Sequence, residues 1–197
     1  MGRLTIADPD RIDLTNLQRQ ILYRTDSVGT QKVQAARTAL GALNPEVEVF
    51  ALEKKLQEKD LAELLAAVGV VLDCSDNFAT RHALNRACVK LNKPLVSGAA
   101  MRFDAQVAVF DLREKDAPCY ACLYPEVGEV EEVQCSTLGV FAPLTGVVGA
   151  LQAMEAVKLL AGAGTTFSGR LLLLDAKGSE WRTVRVKKDP ACTVCAR

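Results

Sequence analysis

Two cysteine pairs constrain this chain more than any other feature. The stretches "CYAC" and "CTVC" place Cys119 with Cys122 and Cys192 with Cys195. A C-x-x-C pair can form a tight turn that aims both sulfurs at one ion. Two such pairs have the spacing of a tetrahedral four-cysteine zinc site. A fold that closes this site must bring the C-terminal tail back to a mid-chain loop. Four thiolates leave no open coordination position, so the expected Zn2+ is structural. Redox-active or unpaired thiols are the rival reading. The total of seven cysteines is odd. With no basic start followed by an apolar run in the first 20 residues, that count favours metal binding or catalysis over a disulfide framework, and a cytoplasmic location.

Outside the pairs, strand and helix alternate. Leu4–Ala7 reads as a strand and residues 9–29 as polar loop with short helical turns. Val33, Ala36, Leu40 and Leu43 recur at helical spacing, so Thr30–Leu43 is expected to be a helix stopped by "NP". Strands are expected at Val47–Leu52, Val70–Leu72 and from Pro94, and helices at Asp60–Ala67 and Phe78–Leu91. The rhythm then changes. "AQVAVFDL" alternates and can pair antiparallel with "RLLLLDA" and "WRTVRVKK". Between them lie a loop, Cys119–Leu138, with an acidic solvated part "EVGEVEEVQ", and a long helix, Pro143–Leu160. The fold class is therefore α/β: a mostly parallel sheet with helices on both faces plus an antiparallel C-terminal extension, in one domain spanning 1–197.

The apolar stretch from Phe141 to Gly164 is interrupted by Pro143, Gln152, Glu155 and Lys158, which suits a buried helix better than a membrane span. Its small residues Gly146, Gly149, Ala150 and Ala153 allow close packing in the core or across a dimer, with core burial the default. Lys plus Arg equals Asp plus Glu at 24 each, and no dense basic run exists. No nucleic-acid surface is expected.

Several polar residues can carry chemistry. Asp8 ends a strand, where nucleotide-binding α/β folds place a carboxylate on the ribose. "DLTNLQRQILY" gathers Asn16, Gln18, Arg19 and Gln20, and arginine is the usual planar partner of phosphate. Lys32 opens a helix, where the dipole disfavours a cation unless an anion binds beside it; a solvated lysine is the alternative. Asp73 and Asp76 in "DCSDN" follow a buried strand. Asp76 can hold Mg2+, or Asp76 or Asn77 can simply cap the next helix. Cys135 is either a loop nucleophile or an inconsequential thiol. Cys74 and Cys88 read as small buried hydrophobes. The one histidine, His82, sits on a helix in no triad-like spacing.

In their order and combination, "DLTNLQRQILY", "GTQKVQAA", "NP", "VVLDCSDN", "LVSGAA", "APLTGVVGALQAMEAVKLL" and the two C-x-x-C pairs resemble the ThiF/MoeB/HesA family. These are Rossmann-like bacterial relatives of ubiquitin-activating enzymes. The resemblance implies ATP-dependent adenylation of the C-terminal Gly-Gly of a ubiquitin-like sulfur-carrier protein by a homodimer. "VSGAAMRFDAQVAVF" looks closer to the molybdopterin branch than to the thiamine branch. Asp8 matches the ribose acid, and Asn16 and Arg19 the phosphate-contacting pair, with Gln20 beside them. Lys32 matches the triphosphate lysine and Asp76 the aspartate tied to Mg2+ and catalysis, with Asn77 beside it. Cys119, Cys122, Cys192 and Cys195 match the zinc ligands, and Cys135 the loop cysteine that takes part in sulfur transfer in the thiamine branch.

The family pattern also has a leading helix, a first strand and a glycine-rich loop, about fifty residues by the size of a βα unit, which do not precede Asp8 here. A truncated chain that folds poorly alone is therefore an expectation. An inactive carrier-binding scaffold is the alternative function. An NAD(P) oxidoreductase is a third reading, opposed by the lack of a dinucleotide fingerprint.

Overall fold

The computed structural model describes residues 2–126 and 139–196. Contacts divide the chain into two compact units, Met1–Gln57 and Glu58–Arg197. The sequence-predicted loop cysteine, Cys135, lies outside the described residues.

In the first unit, β1 (Arg3–Ala7) and β2 (Glu48–Leu52) pair in parallel, from Arg3 opposite Glu48 to Ala7 opposite Leu52. Parallel neighbours need a long crossover, and α1 (Lys32–Leu43) provides it, packing on β2. The buried face of α1 carries Val33 and Ala36. The helix stops at Asn44, whose N–H still reaches Leu40 O at 2.9 Å, because Pro45 pushes the residue before it out of the helical region. The long connection from β1 to α1 is not slack. It makes two 3-10 turns, Leu14–Asn16 and Thr25–Ser27. Ile12, only 2% exposed, pins its middle, and the Ile12 N–H donates to Thr30 O at 2.9 Å.

The second unit holds α2 (Glu58–Ala66), β3 (Val71–Asp73), α3 (Phe78–Leu91), β4 (Leu95–Met101), β5 (Asp104–Phe110), α4 (Tyr120–Leu123), α5 (Ala142–Ala161), β6 (Arg170–Asp175) and β7 (Glu180–Arg185). Its sheet has the order β3-β4-β5-β6-β7. The β3–β4 pair is parallel and the later pairs are antiparallel. The antiparallel extension expected from "AQVAVFDL" onward is thus present, with β6 between β5 and β7. Val96, Val107, Val109, Leu144 and Val148 form the heart of the core. Each such side chain stabilises the fold by roughly 1.5–3 kcal/mol when fully buried.

Helix α5 corrects one expectation. Leu144, Val148, Gln152, Glu155, Ala156 and Leu159 face the sheet. Gly146, Gly149, Ala150 and Ala153 are exposed rather than in the core. The helical period decides this, because Leu144, Val148, Ala156 and Leu159 share the stripe that meets the sheet and these four small residues fall outside it. The helix is long and apolar enough to cross a membrane by length and composition. Here its buried stripe packs on β4 and β5.

Candidate active site and cysteine cluster

Asp8 follows the last residue of β1, held there by its N–H to Leu52 O at 3.2 Å. Its Oδ1 accepts the Asp10 N–H at 2.8 Å, which turns the chain back towards α1. Lys32, the first residue of α1, is the focus of this cluster. Its Nζ lies 2.8 Å from Asp10 Oδ2 and 3.9 Å from Asp8 Oδ2, and its side chain is only 10% exposed. The helix-opening lysine is therefore neither solvated nor unpaired. Two carboxylates offset its unfavourable position at the positive end of the helix dipole. Asp10 is a residue that the sequence reading missed; the spacing Asp-x-Asp directly after a strand was its signal.

Asn16, Arg19 and Gln20 lie in the 3-10 connection of the same unit. Asp13 caps the turn, its Oδ1 accepting from the Thr15 N–H at 2.8 Å and the Thr15 hydroxyl at 2.6 Å. These bonds, the hydroxyl first, hold the Asp13 carboxyl below its ordinary value. Asn16 Oδ1 accepts the Asp13 N–H at 3.3 Å, so Asn16 is fixed as part of the turn. Arg19 uses one nitrogen on Thr15 O at 3.3 Å. Gln20 Oε1 is buried without a hydrogen-bond partner, an orphaned acceptor next to the arginine. Tyr23 is pushed up by burial and by the Asp8 charge, which places a phenol in the field of the same carboxylate.

The second unit presents a polar tip after β3. Asp73 is 1% exposed. Its Oδ1 accepts from the Ser75 N–H at 3.0 Å and the Ser75 hydroxyl at 2.6 Å, and its Oδ2 accepts from the Ser97 hydroxyl at 2.8 Å. Arg81 donates from Nη2 to Ser75 O at 2.5 Å and stands 4.0 Å from Asp73. Gln152 of α5 donates to Asp73 O at 2.8 Å and Val96 O at 3.2 Å. The tip is thus clamped from the helix beside it and from the helix beneath it. Sequence reasoning missed both clamps, although Arg81, Asn85 and Cys88 already lie on one helical face of α3.

This scaffold exposes Asp76. The neighbouring Asn77 caps α3, its Oδ1 accepting the Thr80 N–H at 2.8 Å, so the capping role falls to Asn77 rather than Asp76. The Asn77 amide reaches Asp76 Oδ1 at 3.4 Å. Cys88 is fully buried as expected. Cys74 is exposed as a residue, but alternation after Asp73 puts its thiol on the opposite face of the sheet, where Sγ lies 3.7 Å from Gln152 Oε1 of α5. His82 packs against Phe78 and Tyr120. Burial pushes its imidazole down, against the pull of Glu126.

The four paired cysteines converge. Cys119 caps α4 and Cys122 sits in its only turn, while Cys192 and Cys195 occupy the tail. All four Sγ atoms lie within 4.8 Å of one another. The contacts Cys119–Cys192, Cys122–Cys195 and Cys119–Cys122 measure 3.7, 3.4 and 3.9 Å. A tetrahedron of Zn–S bonds near 2.3 Å has S···S edges of about 3.8 Å, so the donor set fits zinc. The Asp189 N–H points at Cys122 Sγ from 3.4 Å and the Asn85 amide at Cys119 Sγ from 3.5 Å. Such donors stabilise metal-bound thiolate.

A model of the ThiF family matches residues 1–194. The chain belongs to the ThiF family. Among its relatives, the molybdopterin-synthase adenylyltransferase of Escherichia coli is 43% identical over 197 residues, covering 100% of this chain and 78% of that protein. The sulfur carrier protein ThiS adenylyltransferase of the same organism is 43% identical over 195 residues, covering 99% and 76%. The crystal structure of E. coli MccB with ATP superposes with a TM-score of 0.82 at 22% identity. It matches 98% of this chain, which spans 59% of MccB, and the likeness supports the α/β fold. The order of the ThiF-family motifs read from the sequence is therefore reflected in both fold and kinship.

Proposed function

We propose that this ThiF-family chain uses ATP to adenylate the C-terminal Gly-Gly of a ubiquitin-like sulfur-carrier protein, in molybdopterin or thiamine biosynthesis. The observation that carries this reading is the identity, along the whole chain, to two adenylyltransferases. The local geometry supplies roles that suit it. The reaction forms a bond between a carrier carboxylate oxygen and the α-phosphorus and breaks the bond to pyrophosphate. It needs charge neutralisation and alignment more than covalent help.

Asp8 would accept from the ribose hydroxyls. Asn16, Arg19 and Gln20 would face the nucleotide from the 3-10 turn, with the orphaned Gln20 carbonyl gaining a donor. Lys32 would meet the triphosphate. At an effective dielectric near 20, one such charge at 4 Å contributes about 4 kcal/mol. Asp76, with Asn77 beside it, is the residue that would hold Mg2+, which supplies further neutralisation of phosphate charge. Asp76 is suited to that role because Asn77 has taken over the helix cap. Cys119, Cys122, Cys192 and Cys195 would bind one structural Zn2+. Cys135 would act in sulfur transfer if the carrier belongs to the thiamine branch.

We read residues 1–197 as one adenylation domain of a cytoplasmic homodimer. The outward stripe of α5, with Met154, Val157 and Leu160 at 45%, 56% and 45% exposure, supports self-association. The test is carrier-dependent ATP–pyrophosphate exchange. Exchange that appears only with a carrier ending in Gly-Gly supports the reading; no exchange with either branch's carrier, from a chain that melts cooperatively, refutes it.

A further inference from the structure

The second unit holds a further concentration of charge, away from its Asp73–Asn77 tip. An open cleft of about 900 Å3 forms where the loop at 114–118 passes the start of β6 and the end of β7. Lys115, Arg170, Arg185, Lys187 and Lys188 line it, against the carboxylates of only Glu114 and Asp116. None of these five cations makes an ion pair among the described residues; the neighbouring pairs are Arg113–Asp111 and Arg182–Glu180.

The cleft is built rather than incidental. The Val186 N–H donates to Gly169 O at 2.8 Å and joins its two walls. Lys188 Nζ donates to Lys115 O at 2.9 Å and ties the loop to the tail. Arg170 is steadied by Thr166 O at 2.7 Å and by the Phe167 ring at 5.3 Å. Most telling, Arg170 and Arg185 stand directly opposite each other across the β6–β7 pair. Like charges in that position repel. Edge protection explains cations on β7, the outermost strand. It does not explain Arg170, which lies on the inner strand β6. An anion bound between the two guanidinium groups would turn their repulsion into attraction.

We infer that this cleft binds the phosphates of an oligophosphate-bearing ligand at a site separate from the Asp73–Asn77 tip. Along one row of the sheet, Asp73, Ser97, Ala108, Leu171 and Val184 are successive neighbours. Four strand spacings put the two regions about 19 Å apart. Phosphate is the class because paired guanidinium forks match its oxygens bidentately. The lining holds no aromatic ring on which a base could stack, so the phosphates are what is read. Free oligophosphate and the phosphate tail of a nucleotide share that chemistry.

The test is calorimetric titration of the full chain with tripolyphosphate and, separately, with ATP. It is run on Lys32→Ala, which disables the site proposed for ATP, and on Lys32→Ala/Arg185→Gln. Tripolyphosphate is expected to bind Lys32→Ala and to bind the double variant at least tenfold more weakly. ATP binding no tighter than tripolyphosphate identifies phosphate alone as the determinant; ATP binding tighter, with the same dependence on Arg185, identifies the nucleotide as the source. Melting curves without ligand separate recognition from misfolding. Arg185→Gln should melt no lower than the parent, because it removes a repulsion, and Lys187→Gln/Lys188→Gln should weaken binding in the same direction. Equal affinity in the two backgrounds overturns the inference. So does binding of a glutamate-rich peptide with none of tripolyphosphate. Because the exchange reaction of Arg185→Gln alone is expected to be unchanged, failure here leaves the adenylation reading standing.

Discussion

Gly98 offers a sharp test of how the polar tip is held. It lies buried in β4 beside the α5 side chains that clamp Asp73. An ideal Cβ at this position would fall 2.4 Å from Gln152 Cδ, 2.5 Å from Gln152 Oε1 and 2.7 Å from Val148 Cγ1. All three distances are far below van der Waals contact, so Gly98→Ala must displace Gln152. Overpacking of this kind costs about 1–3 kcal/mol. The displaced amide also gives up its bonds to Asp73 O and Val96 O, each with a net value of about 1 kcal/mol. The sum is about 3–5 kcal/mol, a large part of the roughly 5–15 kcal/mol that holds a domain together. At about 2–4 °C per kcal/mol for a protein of this size, the midpoint should fall by roughly 6–20 °C.

The assay is denaturant unfolding of Gly98→Ala, Gln152→Ala and the double variant, with carrier-dependent exchange measured on each. Truncating Gln152 removes the group that the new methyl strikes first. The second substitution should therefore cost less in the presence of the first, with a coupling of about 1–3 kcal/mol. Additivity within about 0.5 kcal/mol would refute the clash with Gln152 as the reason for glycine at this position. Exchange should decline in Gln152→Ala even below its melting range, because the Asp73 carbonyl that positions the Asp76 loop has lost its anchor.

Lys32→Ala should lower exchange by about 100-fold or more, the usual loss for one preorganised electrostatic donor, while far-UV circular dichroism stays native. Asp76→Asn should weaken the Mg2+ dependence of exchange without lowering stability, since Asn77 and not Asp76 caps α3; titration of Mg2+ against rate reads this directly. Cys122→Ser should lose about one Zn2+ per chain, measured by metal analysis, and chelation of the wild type should reproduce its loss of stability. One contribution to the acid limb, beside that of Asp13, comes from Glu58, which hydrogen bonds from Arg86 hold below its ordinary value of 4.5. The folded value is the lower one, so the stability it contributes is full above about 4.5 and is lost as pH falls through the folded value. Arg86→Met should make the fall of stability across that acid range shallower in urea titrations, while the slope near neutrality stays as it was.

The βα frame was legible because each element announces itself locally. Phe78–Leu91 has the periodicity of a helix and a capping Asn77 before it, and its observed bounds are the expected ones. The convergence of the four paired cysteines was legible for another reason: a C-x-x-C pair fixes its own geometry, and the remaining question was only whether the tail returns. What could not be read was which side chain answers which across the sequence. Lys32 meets Asp10 across 22 positions, and the conflict with the helix dipole left both a neighbouring anion and a solvated lysine open. Gln152 meets Asp73 across 79 positions, and a lone glutamine in an apolar helix carries no address.

Helix α5 shows the same limit at the level of a whole face. Its composition permits close packing by the small residues, but a helix has one buried stripe, and the stripe with Leu144, Val148 and Leu159 has far more apolar area to remove from water. Once those residues face the sheet, Gln152 is carried to the Asp73 carbonyl at the end of β3 and to the Val96 carbonyl of β4, and Gly146 and Ala150 are left outside. The packing that decides the hydrophobic face therefore also sets the polar clamp on the Asp73 tip. That coupling is the reason a methyl group on Gly98, which is not itself a ligand-binding residue, should be felt at Asp76.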